Sequence, residues 1–210
     1  MDRPAHGDDA GDGPGDGVSP TERARKRWGI DRVRLVHPTL EDDDADLARH
    51  LQRHLRHLPV VMLHDRLLPG GELAEFLAIG PGGVTVIAAA AGLAAPLRVH
   101  RLRGVFGAHA ELLCDGTDAD RSALLAPVRE RLVAVQRLVE DAAPVAGALC
   151  LTDTDSTDVP NLARSLRVGG IVVGNARAVA ALAAREGPLV DTVVAALVDR
   201  LDAACAPALL

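Results

Sequence analysis

Residues 63–91 read LHDRLLPGGELAEFLAIGPGGVTVIAAAA, and the fold turns on how this stretch is divided. The run Val60-Val61-Met62-Leu63 that leads into it is short, apolar and partly β-branched, as a buried strand is. A polar turn through Pro69-Gly70-Gly71 comes next. Residues 73–79 and 84–90 are two more apolar runs, separated by Gly80-Pro81-Gly82-Gly83. Two strand-like runs around a Gly/Pro cluster spell a β-hairpin. The stretch therefore predicts a strand, a turn and a hairpin.

Upstream lies a helix. Thr39 is placed to cap it, and Glu41, Asp42, Asp43, Asp44 and Asp46 crowd its first turns, where the positive end of the helix dipole favours them. Leu47, Leu51, Leu55 and Leu58 then form one apolar stripe, and Pro59 ends the helix. Downstream, 97–102 and 110–114 are shorter strand candidates. A long helix is expected over 119–141, with Leu124, Leu125, Val128, Leu132, Val135 and Val139 on its apolar side. Residues 146–151 and 168–173 read as buried strands, and two helices, 176–186 and 188–204, follow around Gly187-Pro188. Helices interleaved with strands in this order predict an α/β domain with a mixed central sheet flanked by helices.

Length and composition bound what such a domain can do. At 210 residues and 21.9 kDa the chain suits one domain with a tail. With 2 Phe, 1 Trp and no Tyr, its core must be built from Ala, Val, Leu and Ile, and base stacking on aromatic rings is nearly excluded. The net charge of −6 is uneven. Residues 1–19 are Asp/Gly/Pro-rich at −4, residues 20–36 carry +4, and residues 37–210 carry the remaining −6. Residues 1–36 read as a disordered tail, acidic then basic, and 37–210 as the folded domain. An acidic body is no generic polyanion binder. Cys114, Cys150 and Cys205 are far apart with no CxxC, so they read as reduced thiols in a cytoplasmic protein. The apolar stretch 84–97 is interrupted by Gly92 and Pro96 and is too short to span a membrane.

The motifs Leu63-His64-Asp65-Arg66, Pro69, Gly80-Pro81-Gly82-Gly83-Val84 and Val86-Ile87, with Gln136 and the strand around Cys150 further on, resemble the bacterial nuclease-related domain family, NERD. The likeness covers about residues 40–205. It implies a restriction-endonuclease-like core of the PD-(D/E)xK class and a role in DNA processing. In that class carboxylates hold a magnesium ion that activates water, and a lysine assists. In D-x-K the alternation of a strand puts both side chains on one face.

Carried across, the resemblance puts the first-strand acid at Glu75 and the first-helix acid near Asp44. The Asp and Lys of D-x-K fall at Ala88 and Ala90. The only lysine in the chain, Lys26, precedes the folded region. Arg98 or Arg101 could neutralise charge but is a poor proton acceptor. The expectation is a nuclease centre that has been emptied. No cofactor is then needed, and the remaining role is binding a protein partner or nucleic acid. The alternatives are a divergent magnesium-dependent nuclease built on Glu75 and Asp44, and a structural module that self-associates through the outer side of 176–204.

Other signals read as structure. His50, His54 and His57 each precede a stripe leucine and form the border of the buried face, with Arg49, Arg53 and Arg56 outside them. His64 and Asp65 read as part of a turn after the strand. Asp153-Thr154-Asp155-Ser156-Thr157 matches the D-x-D-x-T of haloacid dehalogenase-like phosphotransferases but lacks a downstream lysine and acidic pair, so it reads as an exposed turn. Gly80-Pro81-Gly82-Gly83 and Gly169-Gly170 lack phosphate-loop spacing and read as turns.

Overall fold

The computed structural model describes residues 42–90, 97–104, 107–114, 122–151 and 166–208; for 42–46, 97–104, 107–114 and 166 it describes the backbone only. The tail 1–36, Thr39 and the D-x-D-x-T segment lie outside the described residues.

The hairpin at the centre of the sequence is also central in space. Its strands are β2 (Leu73–Gly80) and β3 (Gly83–Ala90), in register from Gly80↔Gly83 to Phe76↔Ile87. Gly83 has φ 113°, and a Cβ there would lie 2.1 Å from the Pro144 carbonyl oxygen. That oxygen accepts from the Val84 N–H at 2.9 Å, so only glycine lets the next strand start this close. The next strand is β6 (Val145–Leu151), parallel to β3 along its length. On the other side of β2 lies β1 (Val61–Leu67), antiparallel to it.

The full sheet has seven strands in the order β7-β8-β6-β3-β2-β1-β9, with β7 (Leu166–Val168), β8 (Ile171–Gly174) and β9 (Ala206–Pro207) at its sides. Parallel pairs in the middle and antiparallel pairs outside make it mixed. A separate two-stranded ribbon is formed by β4 (Leu97–Gly104) and β5 (Gly107–Cys114).

Helices cover both faces. On one side, α2 (Ala126–Val139) and α4 (Asp191–Ala204) bury Val135, Val139, Val194, Leu197 and Leu201 against Leu63, Leu77, Ile79 and Val86. On the other, α1 (Asp42–Leu55) and α3 (Ala176–Ala183) bury Leu47, Leu51, Leu55, Val179 and Ala183 against Met62, Phe76, Ile87 and Cys150. The core is aliphatic, and each fully buried Leu, Ile or Val contributes about 1.5–3 kcal/mol. α3 begins at Asn175, whose Oδ1 accepts from the Ala178 N–H at 3.0 Å.

Several boundaries differ from the sequence reading. β1 runs on past Leu63, the expected end of the strand, to Leu67, so His64 and Asp65 lie within the strand rather than in a turn after it. The expected strand 168–173 is instead the hairpin β7–β8, because Gly169 (φ 55°) and Gly170 (φ 85°) adopt the paired left-handed turn that reverses a chain in two residues. α2 starts at Ala126 behind a 3₁₀ turn at Ser122–Leu125, with Pro127 in its first turn. β9 went unforeseen, since two residues carry no periodicity.

Candidate functional site

The site begins where β2 and β3 part. Their ladder stops at Phe76↔Ile87. One further step would set Glu75 against Ala88, but there the backbones no longer pair. β3 stays with β6 instead, through Ala88↔Leu149, Ala89↔Cys150 and Ala90↔Leu151. The Glu75 side chain fills the wedge: its Oε2 accepts from the Ala89 N–H at 2.5 Å, in place of a strand partner. Its Oε1 accepts from Arg131 Nη1 at 2.8 Å.

Glu75, Ala88 and Ala90 share one side of the sheet. Ala88 and Ala90 pack with Leu125, Val128, Leu149 and Leu151, beneath the 3₁₀ turn and α2. Glu75 reaches a residue of that same helix. The alanines are 4% and 7% exposed, so their methyl groups are roofed by aliphatic side chains. The Glu75 and Arg131 side chains are 19% and 15% exposed, which makes theirs a largely buried ion pair. Such a pair adds little net stability over an apolar one of the same size, but removing one member leaves a charge without its partner, at about 3 kcal/mol or more.

Asp44 lies in the first turn of α1, and its side chain falls outside the described residues. α1 packs on the opposite face of the sheet from the Glu75–Arg131 pair. Asp44 and Glu75 are therefore separated by the layer of strands. The side chains of Arg98 and Arg101, on β4, also fall outside the described residues.

His64, Asp65 and Arg66 fasten the chain's closing segment to β1. Asp65 has φ 49°, its carboxylate accepts from His64 Nδ1 at 3.0 Å, and its carbonyl accepts from the Ala208 N–H at 2.8 Å. Arg66 pairs with Asp202 at 2.8 Å and donates to the Cys205 carbonyl at 3.4 Å. The Cys150 thiol is pushed up to about 12 by burial, and burial also raises that of Cys205, so neither is a nucleophile at neutral pH. Both are free and buried.

Arg131 is the residue that sequence reasoning passed over. Its signal was present: it stands three residues after Val128 and four before Val135, on the buried stripe of α2. A charge on such a stripe points to a buried partner.

Among the described residues, the wedge offers no ligand set for a magnesium ion, which the family resemblance implies. Both Glu75 oxygens are engaged, and the neighbouring positions supply methyl groups rather than oxygen ligands. The guanidinium already neutralises the carboxylate. Comparison of the chain with protein families, curated proteins and solved structures finds no match.

Proposed function

We propose that this chain is a nuclease-related, restriction-endonuclease-like domain whose catalytic centre has been closed, and that it works by binding. One observation supports this most: the positions assigned to the acid and to D-x-K, namely Glu75, Ala88 and Ala90, lie on one side of the sheet at the point where two strands diverge. The chemistry of the place has changed. A guanidinium stands where a metal ion would neutralise the carboxylate, and aliphatic packing stands where water would be activated. Phosphodiester hydrolysis depends on preorganised charge around the phosphate, so this centre cannot supply the main part of the acceleration. Cytoplasmic placement belongs to the same proposal and is supported by the free, buried Cys150 and Cys205.

The test is direct. Purified chain is incubated with plasmid and with single-stranded DNA, in magnesium and in manganese. No cutting above a no-protein control is expected. Cleavage that vanishes in Glu75→Ala would overturn the proposal in favour of a divergent metal-dependent nuclease.

A further inference from the structure

A second surface lies on the opposite side of the sheet. The acids of α1, Asp42, Asp43, Asp44 and Asp46, all stand in its first five residues. From Leu47 to Leu58 the sequence is LARHLQRHLRHL, with three arginines, three histidines and no acid. Arg49, Arg53 and Arg56 recur at intervals of four and three, so they form the solvent ridge opposite the buried Leu47-Leu51-Leu55 stripe. Each of the three is exposed. The flank towards α3 carries His50, His54 and His57. Across it stands Arg177, exposed, in a stretch from Ile171 to Arg185 that also lacks any acid. Arg177, Arg53 and His50 all act on His54: after burial, their positive charges hold its imidazole below the usual histidine range. Beyond the acidic first turn of α1, the described side chains of the two helices form a cationic patch at Arg53, Arg56 and Arg177, on a chain whose net charge is −6. Arg185 is not part of it, because its Nη2 is bound to the Gly82 carbonyl at 3.0 Å.

We propose that this face, centred on Arg53, Arg56 and Arg177, docks the phosphate backbone of a nucleic-acid duplex. Three features favour a duplex over a protein or a single strand. The ridge from Arg49 to Arg56 covers about 10 Å at the helical rise per residue. Laid along a duplex axis, that length matches about three nucleotides of one strand at ~3.4 Å of rise each. Arginine also matches phosphate geometry better than any other side chain. A protein interface needs an apolar or aromatic anchor at its centre. The exposed large apolar residues among those described, Leu67, Val133, Val190 and Val193, lie on β1, α2 and α4 and beside α4, not on α1 or α3. Neither α1 nor α3 contains Phe, Tyr or Trp, the rings on which unstacked bases stack best. Contact through phosphates alone reads no sequence.

The inference does not depend on the nuclease ancestry, because it uses other residues on the other face. Its test is fluorescence anisotropy with a labelled duplex of about 20 base pairs, titrated with the full chain across a salt series. Duplex DNA and duplex RNA are expected to bind within about threefold of each other, and the salt slope should correspond to three or four phosphates. The triple variant Arg53→Ala/Arg56→Ala/Arg177→Ala is expected to bind at least tenfold more weakly and with a shallower slope. The corresponding triple lysine variant should retain most of the affinity. A separate variant neutralising Arg23, Arg25, Lys26 and Arg27 controls for the basic segment before the domain, and it should keep the dependence on Arg53, Arg56 and Arg177. The proposal fails if the wild-type chain does not bind duplex at about 50 mM salt. It also fails if the triple alanine variant binds like wild type, or if a poly-aspartate peptide or a single strand binds more tightly than duplex.

Discussion

The two faces of the sheet use arginine in opposite ways. Under α2, Arg131 is nearly buried and its charge is matched by Glu75 within the same wedge. On the other face Arg53, Arg56 and Arg177 are exposed to water, and residues 47–58 and 171–185 around them hold no acid. A charge answered internally is part of the fold, and changing it should be felt as stability. A charge left to the solvent costs the fold little, and changing it should be felt only when a partner arrives. The place that resembles a catalytic centre thus falls on the structural side of this contrast, and the plain-looking helix falls on the interactive side.

The largest effect should come from putting back the lost charges. Ala88→Asp together with Ala90→Lys places two ionic groups beneath Leu125 and Val128, and urea denaturation should show a loss of several kcal/mol. A variant as stable as wild type would mean that α2 gives way easily and that the wedge can still open. Next comes Glu75→Ala, which leaves the Arg131 guanidinium and the Ala89 N–H without their acceptor; a loss of about 3 kcal/mol is expected. Adding Arg131→Met to Glu75→Ala should recover part of that loss in a double-mutant cycle, and strict additivity would show that the two side chains are not coupled. On the other face, Arg53→Ala should change stability by less than about 0.5 kcal/mol. A larger drop would make Arg53 part of the fold and blur the contrast.

The smallest effect is one of pH. His54 binds its proton less readily in the folded chain than in the unfolded one, first through burial and then through Arg177, Arg53 and His50. Below the ordinary histidine value of 6.5 the unfolded state therefore holds more protons, and stability falls as the pH drops through the window beneath it. Above that value the contribution is complete. Thermal melts across this range should show a slope that His54→Gln flattens. An unchanged slope would show that His54 is not the group responsible.

Much of this was legible in the sequence. The hairpin 73–90 could be read because a Gly/Pro cluster between two apolar runs is a local signal, and the stripe of α1 because its period is regular. Hairpin register alone sets Glu75 opposite Ala88, but the ladder ends one step short, at Phe76↔Ile87, and the two do not pair. What could not be read depends on distant partners. Arg131 comes 56 residues after Glu75, and no local pattern names the acid it meets. Nor does alternation along β3 reveal that α2 roofs Ala88 and Ala90. At Gly169-Gly170 the turn reading holds and the single strand 168–173 does not, because the apolar runs on either side of the left-handed glycines pair with each other.

The short strand β9 has a consequence for how the chain folds. It lies against β1, and Arg66 of that strand reaches the Cys205 carbonyl across 139 positions of sequence. Contacts that distant form late, because a long loop must close before they are rewarded. While the chain is still emerging during synthesis, the outer hydrogen-bonding groups of β1 wait uncovered, and a second nascent copy could pair with them. β9 then covers the Arg66–Leu67 end of that rim, and Pro207 has no N–H to offer a further neighbour.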